Sequence, residues 1–148
     1  MPLYYLDSSA LVKLYVLEPG TERMLQLARS EHHQLATISL TRVECRAAIR
    51  RRERGGDIDP EVAAQVMQDL EQHFASRFLI QPITEALLEE ACTLIEHHPL
   101  QAYDSIQLAG CVTLRGITVG ESPVFVCSDR QLLRAAAEQG LAVLNPLA

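Results

Sequence analysis

The chain has no tryptophan, a single lysine and no two cysteines close together. Cys45, Cys92, Cys111 and Cys127 lie far apart, with no CxxC pair. That spacing excludes a structural zinc site, and the four read as reduced, mostly buried thiols of a cytoplasmic protein. No apolar run reaches the length of a membrane span. The N-terminus lacks the basic start, long apolar stretch and small-residue cleavage site of an export signal, so secretion is not expected. There is no GxGxxG, P-loop or HExxH pattern and no serine-nucleophile arrangement, so nucleotide cofactors and those hydrolase chemistries are not indicated.

Positive charge is also in short supply: 13 Lys+Arg against 19 Asp+Glu give a net charge of -6. A protein that wraps nucleic acid in an overall positive field is therefore excluded. A nuclease is not, because acids that hold metal ions lower the total while a local basic patch still meets phosphates.

What is present suits one domain over residues 1–148: 48% of the chain is hydrophobic, enough for a sizeable core. Leu3 to Leu6 reads as a buried strand. Ser8 or Ser9 opens a helix to about Leu17, stopped by Glu18-Pro19-Gly20. Residues 21–30 are expected to be helical, and Leu35 to Ile38 a short strand. Ser39 or Thr41 begins a helix that ends near Arg54-Gly55-Gly56, and Pro60 begins another that runs to about Ser76. Phe78 to Ile80 is a strand. Thr84 caps a helix to His97, and a further helix spans about Tyr103 to Arg115. Val124 to Cys127 is a strand, Asp129 to Glu138 a helix, and Leu141 to Leu144 a last strand. Strands alternating with helices of ten or more residues predict an α/β sandwich around a largely parallel sheet.

Asp7 ends the first strand and Asp129 follows the strand Val124 to Cys127. Parallel strands share one carboxyl edge, which is where open α/β sheets bind ligands. Glu44, about a turn into its helix beside Val43, Ala47 and Ala48, and Asp104, in the first turn of another, are the third and fourth candidates. An acid beside an apolar face needs a partner, and Lys13 is the sole lysine. A divalent cation serves several acids at once. Each acid alone also reads as a helix cap or a solvated charge, and spacing does not choose between these. Arg42, Arg46 and Arg50, four residues apart on the helix that bears Glu44, read either as a stripe that steers an RNA backbone or as a solvated basic helix end.

The segments YYLDSSALVKLY, SLTRVECRAAIRR, AYDSIQLAGC and VCSDRQLLRAAAEQGLAVLNP, in that order, resemble the PIN-domain ribonucleases, and among them the VapC-type toxins of prokaryotic toxin–antitoxin pairs. The resemblance runs over nearly the whole chain and is weakest between Asp57 and Thr84. It implies a three-layer α/β/α fold and a metal-dependent endoribonuclease using Mg²⁺ or Mn²⁺. Asp7, Glu44, Asp104 and Asp129 fall on the family's four acids. Ser8 falls where a hydroxyl assists the site, and Asn145 matches a recurrent asparagine. The resemblance further implies a cognate antitoxin partner and a homodimer.

Rival readings remain at this level. They are an RNA-processing nuclease that is not a toxin, and a PIN-like binding module without activity. A receiver-type phosphoacceptor domain fits less well, because it needs paired acids after the first strand, where this chain has Asp7-Ser8-Ser9.

Overall fold

Strand β1, Leu3–Leu6, alternates its side chains between two apolar layers, as the two-residue period of a strand requires. Leu3 and Tyr5 enter one hydrophobic cluster and Leu6 the other. The computed structural model describes all residues, 1–148. It builds a five-stranded, wholly parallel sheet in the order β3-β2-β1-β4-β5, with β2 at Gln34–Ile38, β3 at Leu79–Gln81, β4 at Val124–Val126 and β5 at Ala142–Leu144. The chain moves outward from β1 to β2 and β3, then returns to β1's other side for β4 and β5. The order therefore reverses between β1 and β4, the switch point at which such sheets open a crevice.

Helices cover both faces. On one lie α1 (Ser8–Leu11), α2 (Thr21–Arg29), α3 (Ser39–Arg54) and α4 (Pro60–Ser76). They bury Leu11, Met24, Ile49 and Leu70 with Leu6 and Val126. On the other lie α5 (Glu85–His97), α6 (Ala102–Ile117) and α7 (Arg130–Glu138). These bury Leu87, Leu94, Leu108 and Leu132 against Tyr5 and Phe125. The expected α/β/α sandwich is thus the observed one, and its sheet is parallel throughout.

Two local readings need correction. The first helix does not continue to Leu17: it ends at Leu11 and tightens into a 3₁₀ turn, Val12–Leu14. The tighter winding lets Lys13, Tyr15 and Val16 all turn inward. Buried Lys13 meets Glu18 at 2.7 Å, and Glu18 also binds Arg52 at 2.7 Å. Strand β3 is shifted by one residue, to Leu79–Gln81, which frees Phe78 to pack edge-on against Phe74. No helix is long and apolar enough to cross a membrane. The cysteines are all free; three are buried and Cys92 is exposed.

Candidate active site

The carboxyl ends of β1 and β4 sit side by side, with Leu6 paired to Val126 in the sheet register. The chain leaves each strand through an acid that caps the next helix. Asp7 is the cap of α1: its Oδ1 accepts from the Ala10 amide at 3.0 Å and from the Ser9 hydroxyl at 2.7 Å. Asp129 caps α7, its Oδ1 accepting from the amides of Gln131 and Leu132 at 2.9 and 3.2 Å. Capping and convergence on the sheet edge are therefore not alternatives here: the same carboxylates do both.

Glu44 on α3 and Asp104 in the first turn of α6 complete the group. All four acids line one cavity of about 400 Å³, together with Ser8, Ser9, Arg51 and the exposed Tyr103. The acids face one cavity without closing into a preformed ligand set: no three His, Cys, Asp or Glu side chains gather at metal-ligating distances. None of the four is in an ion pair. Burial raises the pKa of three of them, Asp7, Glu44 and Asp104, and neighbouring charge adds to the rise at Asp7 and Asp104. Burial pushes the Asp7 carboxyl up to about 6, partly offset by its hydrogen bonds to Ser9, Ala10 and Cys127, with the Asp104 charge adding a smaller push. Burial, then the charges of Asp129 and Glu44, raise Asp104 to about 6. Burial raises Glu44, against the hydrogen bonds it receives from Gln107 and Ser8. Such mutual destabilisation of negative charge is what a bound cation relieves. Hard carboxylate oxygens are the donors that Mg²⁺ and Mn²⁺ take. On donor chemistry, the site fits such an ion.

Two supporting residues escaped the sequence reading. Ser9, besides holding Asp7, accepts the Ser128 amide at 3.1 Å and so ties the exit of β1 to that of β4. Gln107 is almost fully buried on α6. Its amide donates to Glu44 Oε1 at 2.9 Å and to Thr41 Oγ1 at 2.8 Å, and its carbonyl accepts from the Tyr5 hydroxyl at 3.2 Å. Ser9 stands one place beyond the serine singled out from sequence, and Gln107, an uncharged residue amid apolar neighbours, carries no charge signature. The dipeptide Asp7-x-Ser9, an acid followed two residues on by a hydroxyl at a helix start, is the local signal that identifies Ser9.

The other sequence candidates fall differently. Ser8 lines the cavity together with Glu44. Asn145 does not line it: its Oδ1 accepts from the Leu147 amide at 2.9 Å and shapes the turn after β5. Arg42 and Arg46 share the Glu71 carboxylate of α4, each at 2.8 Å, and Arg50 binds Glu53 at 2.9 Å. The stripe lines a separate groove on α3, which meets the acid cavity only at Ala47. The arginine inside the acid cavity is Arg51.

An acid-lined crevice at the switch point of a parallel sheet defines a class of site, and comparison with known proteins identifies the family. The family model for the PIN domain matches residues 4–138. The chain belongs to the PIN domain family. It is 29% identical over 147 residues to Ribonuclease VapC47 of Mycobacterium tuberculosis, covering 97% of both chains. Among solved structures it resembles PAE2754 from Pyrobaculum aerophilum at a TM-score of 0.67 and 22% identity, over 98% of this chain and 90% of the other. It also resembles a chain of VapBC2 from Rickettsia felis, solved bound to a promoter DNA fragment, at 0.64 and 14%, over 97% of this chain and 98% of the other. At these identities the structural likenesses speak to the fold.

Proposed function

We propose that this PIN-domain protein is a metal-dependent endoribonuclease and the toxin of a toxin–antitoxin pair. One observation carries the reading: Asp7, Glu44, Asp104 and Asp129, contributed by four separate elements, face one cavity with no ion pair of their own. The full-length similarity to Ribonuclease VapC47 supports RNA as substrate.

Asp7, Asp104 and Asp129 would hold Mg²⁺ or Mn²⁺, with Glu44 as a fourth ligand or as the orienter of the attacking water. When bound, the ion would offset the negative charge of carboxylates and phosphate and would lower the pKa of water, supplying a hydroxide nucleophile for phosphorus. The chain's own residues prepare the place. Ser9 and the Ala10 amide fix the Asp7 carboxylate, and the α7 amides fix Asp129. Gln107 holds the Glu44 carboxylate toward the cavity, in place for either of its two roles. The groove of Arg42, Arg46 and Arg50 adjoins the cavity and draws the RNA backbone along α3.

A cognate antitoxin and a homodimer belong to the same reading. The similarity to a VapC-named ribonuclease, and the fold shared with a chain of the VapBC2 complex, support the antitoxin. The function is tested by incubating total RNA with the purified protein in Mg²⁺ or Mn²⁺, against EDTA, beside Asp7→Asn and Asp104→Asn. Discrete fragments are expected that require metal and disappear in both variants. Intact RNA with folded, metal-supplied, partner-free wild type contradicts the reading and favours a binding module.

A further inference from the structure

We propose that Arg51 grips the RNA phosphate adjacent to the scissile one and so sets the strand's position over the acids. This rests on the nuclease reading above and names a residue which that reading does not use.

Arg51 is the sole cation among the residues lining the acid cavity. It also lines an adjoining cavity of about 410 Å³ beside Glu18, Arg52 and Asp57, so it stands at the junction of the two. Of the other arginines on α3, Arg42 and Arg46 are engaged by Glu71, Arg50 by Glu53 and Arg52 by Glu18, while Arg54, also without an ion pair, lines the separate α3 groove and not the acid cavity. Arg51 takes part in none of the protein's ion pairs and is exposed. A guanidinium beside four carboxylates and bonded to none of them is available to a ligand that brings its own negative charge.

Helix geometry gives the position. Glu44, Ala47, Ala48 and Arg51 follow the i, i+3, i+4, i+7 spacing of a single face. The small alanines leave that face open between the acid and the arginine. Seven residues rise about 10 Å along the axis. A phosphate held by Arg51 is therefore displaced from the acid cluster and belongs to a neighbouring nucleotide. The planar fork of arginine suits bidentate phosphate contact. Arg51 is thus a positioning residue, and its loss acts on binding more than on the chemical step.

The test measures binding of a labelled, mixed-sequence single-stranded RNA oligonucleotide by fluorescence anisotropy. Buffers contain Ca²⁺ and roughly 50–200 mM KCl, a range over which phosphate contacts are resolved, and gels check that the RNA stays intact. Wild type, Arg51→Ala, Arg51→Lys and a control, Arg29→Ala on the exposed side of α2, are compared. Arg51→Ala is expected to weaken binding about ten-fold and to flatten the plot of log affinity against log salt by about 0.7–1. Arg51→Lys keeps the charge and the slope while regaining part of the affinity. In Mg²⁺ cleavage assays, Arg51→Ala raises KM while kcat stays within about three-fold. Slope and affinity equal to wild type, or a change matched by Arg29→Ala, overturn the proposal. If wild type cuts RNA, Asp7→Asn does not, and Arg51→Ala is normal, the assignment of Arg51 fails alone. If wild type neither binds nor cuts, the nuclease reading fails and Arg51 with it.

Discussion

Gln107 shows how much of the site depends on residues that touch no substrate. Its side chain joins three polar groups, the buried hydroxyls of Tyr5 and Thr41 and the half-buried Glu44 carboxylate. Gln107→Leu keeps a similar volume and removes all three bonds. Thr41 keeps its bond from Thr37, but the buried Tyr5 hydroxyl is left unpaired, at a cost of about 1–3 kcal/mol. The variant is therefore expected to unfold at lower urea and to lose at least about ten-fold in cleavage rate, since a freed Glu44 no longer holds one geometry. Wild-type stability and rate would count against that role. The two serines divide unequally. Ser9→Ala removes the bond to Asp7 and strips the Ser128 amide of its acceptor, whereas Ser8 lines the cavity without tying two strand ends together. Ser9→Ala is expected to reduce activity more than Ser8→Ala, a ranking read from parallel cleavage assays. The sequence put the acids in view because charge at an element's start is visible in one dimension. The resemblance pointed to Ser8, and the residues alone left Ser8 and Ser9 open, because residues one apart on a helix differ by about 100° in direction and a one-dimensional pattern does not say which of them faces inward.

At the scale of elements, α6 must lie very close to β1 to bring Asp104 and Gln107 to the sheet edge, and Gly110 makes this approach possible. A Cβ at Gly110 would collide with the Tyr5 hydroxyl and ring, the same hydroxyl that donates to Gln107. Gly110→Ala is expected to destabilise by about 1–3 kcal/mol through overpacking. Gly116, on the same helix, has open space around its missing Cβ and no left-handed backbone. Gly116→Ala is expected to leave stability unchanged or raise it by a few tenths to about 1 kcal/mol. Urea titrations of the pair check both signs, and equal behaviour would contradict the packing account. The order of elements was legible because hydrophobic periods and caps are local; Thr84 caps α5 as its sequence position indicates. The arginine stripe was less so. A four-residue spacing shows that Arg42, Arg46 and Arg50 share a face but not what faces them, and α4 supplies Glu71 opposite two of the three. The early end of α1 was hidden for the same reason, since the burial of Tyr15 and Val16 depends on partners distant in sequence.

For the whole molecule, the acid cluster couples stability to pH and to metal. Asp7 and Asp104 are each raised from 3.8 to about 6, so the folded state binds their protons more tightly than the unfolded chain. Stability from this source is full below about pH 4 and is lost as pH rises through 6. For the buried Asp7 a shift of this size corresponds to about 3 kcal/mol as an order of magnitude. In EDTA, melting temperature is expected to fall between about pH 4.5 and 6.5, as pH leaves the ordinary carboxylate range and rises through the raised pKa of about 6. Asp7→Asn, which cannot ionise, should flatten that fall. Added Mn²⁺ at neutral pH should raise the melting temperature by binding the folded state alone. A melting temperature that climbs from pH 4.5 to 6.5 in EDTA, with no response to Mn²⁺, would contradict the electrostatic picture.

The most direct test of the central claim, that four separate elements build one divalent-cation site, is a calorimetric titration of Mn²⁺ into the metal-free protein at pH 7. Wild type should show saturable uptake. Asp7→Asn and Asp104→Asn, on different elements, should each weaken it by ten-fold or more, while Asn145→Ala, outside the cavity, should leave it intact. No uptake by folded wild type, or equal uptake by wild type and both acid variants, would show that these carboxylates do not form a shared metal site.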